Sequence, residues 1–171
     1  MPVSSRARGF VAVLICLAVH VRPLGAQDTS FASLQRRGKV AMGVDQYSSV
    51  HRFDDLADGG RIRLERDRDD VSGTRAIQAH LKGIATAFAS GNFDTPVFVH
   101  MQHVPGSADM ARGRGVIRYT FRPLRRGGEL RIITSDTSAR RAIHEFLAFQ
   151  RAEHHAAGSA MHDKSGQSVE P

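Results

Sequence analysis

Two stretches of the chain alternate apolar and polar residues and then change to a helical period. The first is Phe53-Asp-Asp-Leu56-Ala-Asp-Gly59-Gly60-Arg-Ile62-Arg63-Leu64, and the second is Phe121-Arg-Pro-Leu124-Arg-Arg-Gly127-Gly128-Glu-Leu130-Arg131-Ile132. Alternation around a Gly-Gly turn predicts a β-hairpin in each, over about residues 48–66 and 116–134. Behind each hairpin the apolar spacing lengthens. Ile77, Leu81, Ile84 and Phe88 lie on one helical stripe, and Ile143, Phe146, Leu147 and Gln150 on another. Asp70 and Asp136 stand where a helix needs an acceptor for its free N–H groups, and Gly91 is placed to end the first helix.

The two stretches are copies of one pattern. Phe53 matches Phe121 at an offset of 68, and the offset becomes 66 in the helices, where Arg75-Ala76-Ile77 matches Arg141-Ala142-Ile143 and Leu81 matches Leu147. The expected fold is α+β: duplicated ββα units forming an antiparallel sheet with two helices packed on one face. A single domain over 40–155 contains repeat 1 (about 48–91), a connector (92–115) and repeat 2 (about 116–155). An N-terminal extension, 27–39, precedes it. The tail 156–171, rich in Ala, Gly and Ser without apolar period, is expected to be disordered.

The residues ahead of the extension change the picture of where the domain works. Arg6 and Arg8 precede the apolar run Phe10 to Val19, Pro23 breaks it, and Leu24-Gly25-Ala26 puts a small residue before Gln27. That order predicts a signal peptide over 1–26, too short to span a bilayer, and an exported protein, periplasmic or secreted, with no stable membrane insertion after cleavage. Of 171 residues, cleavage would leave 145, and loss of Arg6, Arg8 and Arg22 with no acid lowers the formal charge from +7 to +4. It also removes Cys16, the one cysteine, so the remainder stands on its core without disulfides. Hydrophobic residues are 41% of the chain, enough for one modest core and too few residues in all for a large multidomain enzyme. The modest positive charge, interspersed with acids over 61–70, does not point to nucleic acid as a partner.

Histidine carries the candidate chemistry. Strand parity puts His51 on the apolar face with Phe53, where the other repeat has Tyr119; helical phase turns His80 toward the sheet, where the other repeat has Phe146. One half of a duplicated core thus carries imidazoles where the other carries aromatic rings. Such imidazoles can be structural, can bind a metal, or can act as acid and base. His100 and His103, three apart on the connector, offer further ligands, and Met42 and Met110 offer soft thioethers; imidazole with thioether and no thiolate suits copper better than structural zinc. His154, His155 and His162 are expected to be solvated near the tail. A cysteine nucleophile is missing after cleavage, and so is a G-x-S-x-G elbow. Ser72-Gly73-Thr74-Arg75 at a helix start offers an anion site through Ser72 and Arg75, with simple capping as the alternative.

A string of short motifs runs from Met42-Gly43-Val44-Asp45-Gln46 through His51-Arg52-Phe53, Gly91-Asn92-Phe93-Asp94, Val99-His100 and Pro105-Gly106 to Ala142-Ile143-His144-Glu145-Phe146-Leu147-Ala148-Phe149-Gln150. Over roughly 39–155 the chain resembles a family of small bacterial proteins, some of whose members carry the name aspartate carbamoyltransferase. That name implies carbamoyl transfer; Ser72-Gly73-Thr74-Arg75 departs from the Ser-Thr-Arg-Thr phosphate loop of such enzymes. Three functions follow as expectations: a binding module with a His-lined site for a metal ion (copper or zinc) or small ligand, an enzyme of the kind the resemblance implies, or a structural domain of the cell envelope.

Overall fold

The computed structural model describes residues 25–44 and 46–156. Most of the segment read as a signal peptide, 1–26, and the chain beyond Ala156, with His162, lie outside the described residues. The elements run in the order α1 (Gly25–Met42), β1 (Ser49–Leu56), β2 (Gly59–Arg66), α2 (Val71–Ala89), α3 (Asp94–His100), α4 (Ser107–Arg112), β3 (Arg118–Leu124), β4 (Gly127–Ile133) and α5 (Thr137–Glu153). The fold is α+β, with a four-stranded antiparallel sheet in the order β1-β2-β4-β3. Units β1-β2-α2 and β3-β4-α5 are the two copies.

Their relation is legible in the register. At the sheet centre Ile62 on β2 pairs with Leu130 on β4. These two residues are each other's counterparts at the offset of 68, so a pseudo-twofold axis passes through this pair. The helices are exchanged across it: α2 lies mainly over β3 and β4, whereas α5 lies over β1 and β2. Each copy therefore covers the other's hairpin. The stripes Ile77, Leu81, Ile84, Phe88 and Ile143, Phe146, Leu147, Gln150 are all buried, as their spacing predicts. Both caps form, Asp70 accepting from the Gly73 amide and Asp136 from the Ala139 amide.

The glycine pairs have a different task from the expected one. The turns are Ala57-Asp58 and Arg125-Arg126, and each Gly-Gly opens the returning strand. A Cβ on Gly59 would overlap the Ile132 carbonyl and one on Gly127 would overlap the Leu64 carbonyl, again counterparts. The next glycines do the same for the helices, Gly60 facing Leu147 on α5 and Gly128 facing Leu81 on α2. The glycines let the central strands and exchanged helices close on one another.

The copies also differ. Phe53 is buried, while Phe121 is only half-buried, its ring covered by the Lys82 ammonium at 5.4 Å from the centroid. Two segments outside the repeats also pack into the body. The stretch read as an extension, 27–39, is part of α1, which buries Leu34 and Gln35 and is tied to α3 by Arg37 donating to the Val99 carbonyl at 2.7 Å. The connector folds as α3 and α4, burying Val99, Val104 and Met110.

Candidate functional site

The face of the sheet under the helices is mostly apolar, with His51 and Asp55 at opposite ends of β1; the Asp55 end is closed by Arg151 of α5, and the His51 end opens into a cleft. His51 lies there with its side chain toward α5, in phase with Phe53, because β1 alternates about the sheet plane. Opposite it stands His154, at the C-terminal cap of α5. The ring centroids are 5.6 Å apart, and His154 lies a further 5.0 Å from the ring of His100 at the end of α3. Phe53 closes one side of the pair, 5.8 Å from His154.

His154 was expected among solvated residues near the tail; it is instead only 8% exposed. The stripe Ile143, Leu147, Gln150 continues one more turn, so His154 inherits its inward direction. The offset of 66 also maps Phe88 onto His154, and the offset of 68 maps Tyr119 onto His51. In the other half of the core Phe88 and Tyr119 meet edge to face at 5.8 Å. Because the helices are exchanged, the imidazole pair that replaces an aromatic pair is His51 with His154.

A cleft of about 90 Å³ opens beside this pair, lined by His51, His80, His154, Gln46 and Met42 among apolar residues of α2 and the sheet. Its lining contains no Asp, Glu, Lys or Arg. His80 enters from α2, beside the Ala41 backbone of α1. Burial pushes His51 down to about 4, with His80 adding to the shift. Burial likewise pushes His154 down to about 3, helped by His51, His100 and His155. His80 and His100 are also lowered by burial. All four rings are therefore neutral at pH 7.

Hydrogen bonds fix one tautomer. The Gln46 amide meets His154 twice: its Nε2 donates to the His154 carbonyl at 2.8 Å, and its Oε1 lies 2.8 Å from Nδ1. A carbonyl only accepts, so the amide cannot be turned over, and Nδ1 must carry the proton. Nε2 keeps its lone pair. His51 is less well provided for: Nε2 lies 3.5 Å from the Ser49 hydroxyl, and Nδ1 is buried without a partner. The Tyr119 hydroxyl, at the equivalent place, is also buried and unpartnered. His100 pairs through Nε2 with Gln150 Oε1 at 3.2 Å, while its Nδ1 stands 3.9 Å from Glu153.

Of the residues singled out by sequence, His51, His80 and Met42 share the cleft, and His100 reaches the cluster through His154. His103 is exposed beyond α3, and Met110 is sealed in the core on α4; neither lines the cleft. Among the described residues no group of three or more His, Cys, Asp or Glu is arranged to hold a metal ion. At the start of α2, Ser72 donates to Asp70 Oδ1 at 2.9 Å and the Gly73 amide to the same oxygen at 2.9 Å, so the capping carboxylate takes the donors an anion would use. Arg75 is exposed. No family model, curated protein or solved structure matches the chain.

Proposed function

We propose that this protein is an exported binding module that holds a small molecule in the histidine-lined cleft. The observation that carries the reading is the replacement of the Tyr119–Phe88 pair by His51 and His154 at an uncharged cleft. A duplicated core gains nothing in packing from exchanging aromatic rings for two buried imidazoles, each of which must be desolvated. An apolar cleft with a few convergent polar groups is the usual form of a small-molecule site. The basic, apolar and small-residue order of residues 1–26 supports export. Among the described residues no helix is long and apolar enough to cross a membrane.

A metal site for copper or zinc needs further nitrogens at bonding distance, and the described residues supply no such group of three. The enzymatic alternative implied by the family resemblance needs an anion at Ser72 and Arg75, where Asp70 already takes the donors. Both facts favour the cleft as the place of binding. Xenon tests it, because it enters apolar cavities whatever their natural occupant. Under xenon pressure, saturable amide shifts should cluster around Leu81, Ile84 and Phe88. Shifts scattered over the surface, or none that saturate, would remove the cleft as a binding site.

A further inference from the structure

We propose that the cleft's ligand is a small uncharged ring or branched group bearing a hydroxyl or comparable hydrogen-bond donor, which it gives to a histidine lone pair. The proposal rests on the cleft being the binding site and adds the chemistry of what enters it.

Charge is decided by the lining. An ion entering the cleft would lose hydration and meet no lysine, arginine or carboxylate in exchange. Neutral imidazoles do not supply a counter-charge at pH 7. The polarity of the hydrogen bond is decided by what the histidines have already used. His154 gives its one N–H to Gln46, so its remaining nitrogen, Nε2, can only accept. His51 retains a buried nitrogen with no partner at all. The capacity that the geometry fixes at the cleft is therefore that of an acceptor, His154 Nε2, and a ligand that donates matches it. A ligand offering only acceptors leaves that lone pair unpaired.

Shape limits the rest. The other lining groups include Leu81, Ile84, Phe88, Phe53 and Val99, which favour an apolar body. The space, about 90 Å³ and partly open, is smaller than the closed engineered cavity of about 150 Å³ that takes benzene, so a small ring would enter with one edge in the open mouth. The two halves of the core then have distinct tasks: Tyr119 and Phe88 fill their half with their own rings, while His51 and His154 keep theirs for a ring brought from outside.

The test is a set of amide chemical-shift titrations of the purified full chain at pH 7 with four probes that share a benzene ring: phenol, anisole, benzoate and benzylammonium. Phenol should bind roughly tenfold more tightly than anisole, the worth of about one hydrogen bond, and the two ions should give no saturable shifts. His51→Tyr with His154→Phe should abolish phenol binding. Gln46→Leu, which frees the His154 tautomer, should weaken phenol more than anisole and so narrow the ratio between them. Anisole binding as tightly as phenol, or benzoate binding more tightly, would overturn the donor–acceptor argument while saturable xenon shifts still upheld the cleft. Silence from all four probes together with silence from xenon would overturn both. Zinc added alone that saturates the cleft of a protein indifferent to phenol would assign a metal site instead, and the proposal would fall.

Discussion

Replacing His51 by Tyr and His154 by Phe restores to one half of the core the residues of the other, and it should remove most of the protein's sensitivity to mild acid. The folded state holds both rings well below the ordinary histidine value, His51 at about 4 and His154 at about 3. An unfolded chain, with both near about 6.5, takes up two protons that the folded chain refuses. Stability is then complete above pH 6.5 and falls as pH drops toward the folded values. Each refused proton contributes about 1.4 kcal/mol per pH unit, so two give a limiting slope of about 2.7 kcal/mol per unit. Integrated from pH 7 to pH 5, where titration of the unfolded rings is nearly complete, the loss is about 4 kcal/mol. That is a large part of the roughly 5–15 kcal/mol that holds a domain of this size. Asp70, lowered by the Gly73 amide, gives up its contribution only as pH falls below the ordinary carboxylate range, outside this window. Urea unfolding followed by circular dichroism at pH 7, 6 and 5 measures the effect. The wild type should lose about 4 kcal/mol or more, since His80 and His100 shift in the same direction. The double variant should lose about 4 kcal/mol less than the wild type does, with an unchanged denaturant slope. A wild-type midpoint that stays level from pH 7 to pH 5, or a double variant as acid-sensitive as the wild type, would refute the reasoning.

Other perturbations probe the frame around the site. Arg151 on α5 holds the buried Asp55 through bonds of 2.9 and 3.0 Å, so Arg151→Ala should cost about 3–5 kcal/mol in urea unfolding by leaving an unpaired carboxylate. Gly127→Ala meets the Leu64 backbone carbonyl, which cannot turn aside, and should destabilise by at least about 3 kcal/mol, whereas Gly115→Ala, with open space around it, should change unfolding by less than about 1 kcal/mol. Gln46→Glu puts a carboxylate against His154 and should raise its pKa, visible as a ring-proton titration midpoint at higher pH than in the wild type.

Much of this frame is written in the spacing of apolar residues. The stripes of α2 and α5, both N-caps and the pairing of each hairpin follow from local periodicity, because burial on one face selects residues at fixed steps. The exchange of helices does not. A helix stripe records that something covers it, and nothing in Leu81 or Leu147 says which hairpin that is. The clue lay in the glycines: Gly60 and Gly128 read as turn residues, yet the turns need only Ala57-Asp58 and Arg125-Arg126, and the glycines mark close approach between the copies. The histidine site was half legible. Parity identified His51, and helical phase identified His80. His154 was missed because the Ala- and Gly-rich tail begins just beyond it, although the offset that pairs Leu81 with Leu147 also pairs Phe88 with His154. His100 and His103 look alike in sequence, but α3 ends between them, leaving one buried and the other in solvent.

The most direct measurement is a long-range proton–nitrogen correlation spectrum of the histidine rings at pH 7 and at pH 6. His154 should show a protonated Nδ1 and an unprotonated Nε2 at both pH values, with His51 neutral beside it. A His154 ring protonated on Nε2 alone, or an imidazolium at either residue at pH 6, would contradict the neutral, tautomer-locked pair on which the account depends.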